Sequence, residues 1–396
     1  MARVYVQKGK ARPFWFRHPW VFSGAVERVE GHARDGDIVT VLDCAGGFIG
    51  AGLYNSRSQI RVRILSHREG EVIDAAFFRT RLERAVALRE DVLRLPAAGT
   101  TGYRLVHGEG DGLSGLVVER YGDHVVIQLS AAGMKQREGV FLDFLEERLR
   151  PRSIYENASF PYREVEGFTE GSGVRRGELP EGEVTFTEHD LELGVDLRRG
   201  QKTGYYFDQR DNRMTVARHA AGARVLDAFC YCGGFALQAA RAGAREVVAV
   251  DSSAAALEAG RRNAARSGLA GRITFEEADV NVFLAQTGAG GRRFDLVVLD
   301  PPKFAVARKD RDGALYRYHA LNAEALRVVE PGGLIATASC SFHVSEADFD
   351  DMLNAAAKKA NRFLQILHRA GQAPDHPVSS ACLEGRYLKF VLARVW

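Results

Sequence analysis

A single cysteine stands out for its setting. In "IATASCSFHVSE", residues 335 to 346, an apolar run ends and Cys340 follows between Ser339 and Ser341. A thiol in mid-core is inert filler, whereas a thiol where a strand opens into a loop can act as a nucleophile at the rim of a cleft. A second run ends in "LDPPKF", which places Asp300 before the stiff pair Pro301 and Pro302, with Lys303 and Phe304 next. Three more acids close short β-rich runs: Asp227 in "DAFCYCGGF", Asp251 in "VDSS" and Asp279 in "EEADV". A strand end needs no acid for packing. Four of them at one rim repel each other unless a cationic or hydroxyl-rich ligand sits between them.

Two cofactor classes compete for such a rim. A nicotinamide dinucleotide also uses an acid after the second strand, and Asp251 fits both classes. Its pyrophosphate, however, calls for a G-x-G-x-x-G loop at a helix N-terminus. "DAFCYCGGF" has one glycine pair, and Asp227 adds negative charge where the diphosphate would lie. S-adenosyl-L-methionine has no phosphate and carries an ammonium and a sulfonium, so acids suit it. The expected contacts are Asp227, Phe229, Cys230, Tyr231 and Gly233 in the loop, Asp251 and Ser252, Asp279 and Val280, then Asp300 and Pro301. Upstream, "GQKTGYYFDQRDNR" (200 to 213) is dense in aromatics and charge, and Tyr205, Phe207, Gln209 and Arg210 are expected to fold over the cofactor. Cys230 and Cys232 have no second Cys or His pair at zinc-ligand spacing, so no metal is expected.

The elements that position these residues follow a strand–helix alternation from residue 222 onward, which specifies an α/β fold with a mostly parallel Rossmann-like sheet. Ser345 and Asp348 are spaced as a capping box for a helix after Cys340. Two closing strands with no helix between them predict an antiparallel edge. Ahead of this sheet, residues 1–72 read as a small β domain of short strands and turns. Residues 73–190 read as a central α/β domain, opening with a helix over 74–95 that Pro96 stops. The rest, 191–396, is the sheet domain. "HGEGDGLSG" lacks the lysine of a phosphate-binding loop and reads as tight turns.

The chain has 396 residues, with 46% hydrophobic and 27% charged residues, and a formal charge of +3. This is the composition of a globular protein of two or three domains. No stretch approaches the roughly 18 apolar residues of a membrane span, and five cysteines without framework spacing suit a reducing cytoplasm. Near the N-terminus, "VQKGKARPFWFRHPWVF" interleaves Lys8, Lys10, Arg12 and Arg17 with Phe14, Trp15, Phe16 and Trp20. Cations for phosphates beside ring faces for bases are the ingredients of an RNA-binding surface.

Taken in order, "HPWVFSGAVERV", "GDGLSGLVVERYGDHVVIQ", "QKTGYYFDQR", "DAFCYCGGF", "VDSS", "LDPPKF" and "SCS" resemble the 23S (large-subunit) ribosomal RNA cytosine-C5 methyltransferases with an N-terminal PUA domain. The resemblance covers nearly the whole chain. It implies a PUA-like RNA-binding barrel, a class I methyltransferase domain, S-adenosyl-L-methionine as methyl donor, ribosomal RNA as substrate, and room for a homodimer. It also implies roles: Asp251 on the ribose, Asp279 on the adenine amino group, Asp300 beside the target base with Lys303 on the RNA, and Cys340 as nucleophile. Carbon 5 of cytosine is a poor nucleophile until a thiolate adds to C6, which explains why a thiol is wanted. Two other classes remain: an amino-group methyltransferase on the same fold, and a non-catalytic RNA-binding or ribosome-assembly protein.

Overall fold

The computed structural model describes residues 1–97, 99–160, 163–199, 204–305 and 307–396. Two compact units emerge. One comprises Met1–Asp190 with Val195–Phe207 and Pro374–Gly385, and the other Leu191–Gly194 with Asp208–Ala373 and Arg386–Trp396.

The second unit is built on a seven-stranded sheet. In chain order its strands are Arg224–Ala228, Glu246–Asp251, Thr274–Glu277, Phe294–Leu299, Val329–Ser339, Leu364–Ala370 and Lys389–Val395, and across the sheet they run 3-2-1-4-5-7-6. The first five are parallel, and the seventh pairs antiparallel with the fifth and sixth. This is the expected architecture, antiparallel edge included. Apolar side chains such as Leu226, Val250, Leu299 and Ile335 are fully buried with Tyr318 and Phe349 of the covering helices. Strands buried on both faces have to be continuous apolar runs, which is how they read in the sequence. Helix starts are capped locally: Ser253 accepts from the Ala256 amide, Asp279 from Asn281 and Val282, and Ser345 with Asp348 forms the capping box.

Register decides what meets at the rim. Val250, Ala228, Leu299 and Thr337 form one row across four parallel strands. Asp251 and Asp300 each follow this row by one residue and Cys340 by three, while Asp227 precedes it by one.

The first unit carries a six-stranded sheet, ordered Trp20–Phe22, Ile60–Ser66, Phe48–Tyr54, Ile38–Leu42, Arg3–Val6, Val26–Glu30, around a core of Val4, Val6, Phe14, Val39, Val41 and Val62. A second, five-stranded sheet includes Gly102–His107, Leu116–Tyr121 and His124–Leu129. The helix expected over 74–95 is shorter. It runs from Ala75 to Ala87 and widens into a π-type turn over Leu88–Val92. That turn coincides with the inward burial of Arg89. Its guanidinium is fully buried, bidentate to Asp111 at 2.6 and 3.0 Å, and donates to the carbonyls of Arg104 (3.0 Å) and Asp375 (2.6 Å). "HGEGDGLSG" forms turns as expected, with Gly112 left-handed at φ 69°.

Two segments expected in the sheet domain belong to the first unit instead, and tertiary contacts explain both. Asp375 is fixed by Arg89 and by the Arg104 amide (2.9 Å). Tyr205 and Phe207 pack among Tyr121 and Phe186 at 4.9–5.5 Å between ring centroids. Breaking a buried ion pair by deleting one partner costs about 3–5 kcal/mol. Arg89→Met is therefore expected to lower the melting temperature and to make 374–385 protease-sensitive before global unfolding. Calorimetry with limited proteolysis measures both.

Candidate functional site

The loop after the first strand is wound tightly. Phe229, Tyr231 and Gly233 are all left-handed, at φ 63°, 50° and 80°. Two non-glycine residues in that region store strain, which occurs where a loop must present its backbone to a ligand. Gly233 is required: a Cβ there would come within 3.1 Å of the Phe275 ring, in addition to the backbone cost. The loop is held by bonds from the Tyr231 amide to Asp251 Oδ2 (2.9 Å) and from the Cys230 amide to the Val250 carbonyl (3.0 Å). Asp251 Oδ1 accepts from the Ser253 amide at 2.9 Å, so this carboxylate aims the next helix as well as the loop. Cys230 and Cys232 are buried beneath, and burial pushes the Cys230 thiol well up.

Asp227 is buried, with one oxygen bonded to the Ala236 amide at 2.9 Å. Its other oxygen, Oδ1, is buried with no hydrogen-bond partner among the described residues. Burial, with Asp300 and Asp251 adding repulsion, raises this carboxyl to about 7 against the pull of the Ala236 amide and of Arg213. Asp279 is exposed and lies at the helix start, where amide donation, chiefly from Val282, holds it below the usual carboxylate range. Its Oδ1 makes both capping bonds. Ser252 is exposed, whereas Val280 and Pro301 are buried.

Cys340 is half-buried in a turn whose neighbours are locked. Ser341 is fully buried: its hydroxyl accepts from the Ala305 amide (3.2 Å) and meets the Tyr318 hydroxyl at 3.0 Å. Ala305 belongs to the loop that starts at Asp300, so this one hydroxyl ties the "DPPKF" loop to the "SCS" turn. Lys389, cross-strand from Ser339, is buried and donates to the carbonyls of Ser341 (2.6 Å) and Tyr387 (2.9 Å). Burial brings Lys389 down to about 8, with Cys340 the largest influence in the other direction. Sequence reasoning missed this lysine. The signal was a lysine near the start of the mostly apolar strand "LKFVLARV".

The segment at 200–213 divides. Gly200 to Thr203 lie outside the described residues. Tyr205 and Phe207 sit in the aromatic cluster described above, with the Tyr205 hydroxyl 3.3 Å from Glu188. Gln209 and Arg210 are buried in the second unit, Gln209 accepting from Asn212 at 2.6 Å. Lys8, Lys10, Arg12, Arg17 and Lys303 are all exposed, and Trp15 and Phe16 are 60% and 69% exposed beside the first four.

Comparison with known proteins gives this geometry a family. Residues 4–67 match a PUA-like domain, and residues 176–390 match the S-adenosylmethionine-dependent methyltransferase family. The chain is 41% identical to ribosomal RNA large subunit methyltransferase I of Shewanella denitrificans, covering 100% of this chain and 99% of that one. It is 40% identical to the protein of the same name from Aeromonas hydrophila, covering 99% of each. The chain belongs to this family of S-adenosylmethionine-dependent methyltransferases. Solved structures agree on the fold. A chain described as a methyltransferase complexed with SAH superposes with a TM-score of 0.85 at 19% identity, and a Streptococcus mutans chain of the same described class with 0.84 at 19%, each over 100% of both chains.

The rim residues of this methyltransferase fit the cofactor. Asp227 Oδ1 lacks a partner among the described residues, the loop amides are turned by left-handed residues, and Asp251 and Asp300 add acidic charge nearby. A cationic ligand stabilises ionised Asp227 and so draws its proton off. S-adenosylmethionine binding is therefore expected to release a proton below about pH 7 and to tighten as pH rises through that value. Asp227→Asn loses both effects, as calorimetry in two buffers of unlike ionisation heat would read. The sign for stability is opposite. The cofactor-free protein gains from protonated Asp227 below the ordinary carboxylate range, and that gain disappears as pH rises through about 7.

Proposed function

We propose that the protein forms 5-methylcytosine in large-subunit ribosomal RNA through a Cys340 thiolate. The observation that carries this reading is the Cys340 turn, in which a half-buried thiol follows the register row of Asp251 and Asp300 and lies beside a buried lysine. The relatives' names supply the substrate class.

The steps follow from the residues. Lys389, at about 8, is mostly charged at neutral pH, and a nearby cation favours thiolate over thiol. Cys340 Sγ adds to cytosine C6, and the electron pair displaced from the C5–C6 double bond makes C5 nucleophilic. S-adenosylmethionine supplies the methyl group from its sulfonium. A base removes the C5 proton, the double bond re-forms and the S–C6 bond breaks, which returns the thiolate. Asp300, held by Pro301 and Pro302, faces the N3 and amino edge of the cytosine, where a proton carried on its carboxyl is donated to N3 as negative charge develops and returns when the thiolate leaves. Reaching such a pocket requires the base to be unstacked or flipped. The basic, aromatic-bearing segment of the PUA-like domain would hold the surrounding RNA.

The amino-group reading requires an aromatic ring to stack the target base after the two prolines. Lys303 takes the first position. Phe304 takes the next, but its ring packs 4.7 Å from Tyr318 and lies under Arg317 at 5.0 Å. That favours carbon over nitrogen.

Large-subunit rRNA transcribed with 5-fluorocytidine tests the mechanism, because fluorine blocks the last elimination. With S-adenosylmethionine the protein is expected to form a denaturation-stable adduct that Cys340→Ala abolishes. Lys389→Met is expected to slow trapping at neutral pH by about tenfold or more, equivalent to one unit of thiol pKa. Methyl transfer into unmodified RNA with no trapped adduct would overturn the carbon mechanism and leave the amino-group reading standing.

A further inference from the structure

The first unit contains a concavity of about 500 Å³ that none of the chemistry above uses. Arg17, His67, Arg68, Arg81 and Arg84 line it, along with the acids Glu71 and Asp74. Both acids are engaged by neutral donors: Glu71 accepts from the Ser66 hydroxyl, and Asp74 caps the helix beginning at Ala75 through the Phe77 amide (3.0 Å). Arg81 is spent on structure, since it donates to the Leu65 and Gly112 carbonyls and lies over the Phe77 ring at 4.4 Å. The other three arginines are exposed, and their guanidinium groups make no ion pair or hydrogen bond to any described residue.

Several other arginines of this unit are paired. On the same helix Arg79 takes Glu147 with two bonds of 2.8 Å, and elsewhere Arg104, Arg148, Arg175 and Arg176 all have carboxylate partners. The arginines around this hollow outnumber its two carboxylates, and the excess positive charge raises the local potential and favours an anion. Arginine forks match phosphate oxygens. Arg17 decides between a small anion and a chain. It belongs both to this hollow and to the exposed run of Lys8, Lys10 and Arg12 with Trp15 and Phe16. The hollow therefore continues a basic surface and does not stand as an isolated pocket.

We propose that this arginine-lined hollow binds phosphodiester groups of the RNA substrate, with Arg17, Arg68 and Arg84 as the contacts. The proposal rests on the RNA reading given above and adds to it a specific place where the backbone is gripped, on the segment joining the PUA-like strands to the helix at Ala75–Ala87. None of these arginines contributes to the cofactor rim or the thiol site.

The test measures binding of deproteinised large-subunit rRNA to the full-length protein across a salt series. The triple variant Arg17→Ala, Arg68→Ala, Arg84→Ala is compared with Lys358→Ala, Lys359→Ala, which removes charge from an exposed helix end in the second unit. Three lost phosphate contacts should lower the salt slope by about two to three and weaken binding by about tenfold or more near 150 mM salt. The lysine variant should stay near wild type. S-adenosylmethionine affinity and melting temperature should be unchanged in both, which excludes misfolding. Wild-type slope and affinity in a folded triple variant would overturn the hollow while leaving the RNA reading intact. If the wild type itself showed no salt-dependent rRNA binding, the RNA reading would fail, and this proposal with it. Pyrophosphate binding that the triple variant loses, with rRNA affinity unaltered, would mark the hollow as a small-anion site and overturn the proposal as well.

Discussion

The carboxyl of Asp227 is placed where ionising it is costly. It lies inside the sheet with one oxygen unpartnered among the described residues, and the charges of Asp251 and Asp300 are close enough to oppose its own. A parallel sheet creates this situation of necessity, because strands in common register deliver their last side chains to one level. Removing the acids would relieve the repulsion and also the demand for a cation. The second unit holds the strained arrangement because the apolar strands beneath are buried on both faces and cannot slip: a shift of one residue would turn every buried side chain outward.

The thiol site depends on a second, smaller constraint. Ser341 contributes its hydroxyl to the Ala305 amide and Tyr318, and its carbonyl to Lys389. The proline-stiffened loop, a helix and the last strand thus converge on the residue after Cys340. Its side chain is fully buried and its partners come from distant parts of the chain, so the turn has little freedom to wander. For a nucleophile that must meet one carbon of a base, such rigidity is a requirement: an error of about 1 Å in placement can cost on the order of a hundredfold in rate.

The first unit shows the same side chain in two opposite uses. Arg89 is fully buried, saturated by a carboxylate and carbonyls, and serves to fasten Asp375. Arg17, Arg68 and Arg84 are exposed and make no ion pair with any described residue. A buried guanidinium must be fully paired because its desolvation is expensive. An exposed one loses little by waiting for a partner in solution, so arginine identity alone distinguishes neither use.

Much of the second unit was legible in the sequence because buried parallel strands must be apolar runs and helices begin at short polar caps. The mostly parallel sheet, the antiparallel edge, the Ser345–Asp348 capping box and the acids at the strand ends all follow from local signals of that kind. The thiol at a strand end was legible for the same reason. What escaped were facts of long-range contact. Tyr205 and Phe207 were read as cofactor contacts from their nearness in sequence to the first strand, and that nearness did not foretell the packing of their rings with Tyr121 and Phe186. Lys389 was passed over as one charge in a closing strand, and only cross-strand pairing with Ser339 brings it to the Cys340 turn. The helix at 75–87 gives way to the π-type turn where Arg89 meets buried partners far along the chain, contacts that no periodicity encodes. By itself the sequence determined the elements and which of them carry reactive groups, since both depend on neighbours within a few residues. Only the tertiary structure decided which groups stand together and which charges go unanswered, because those depend on atoms that meet only after the chain has folded.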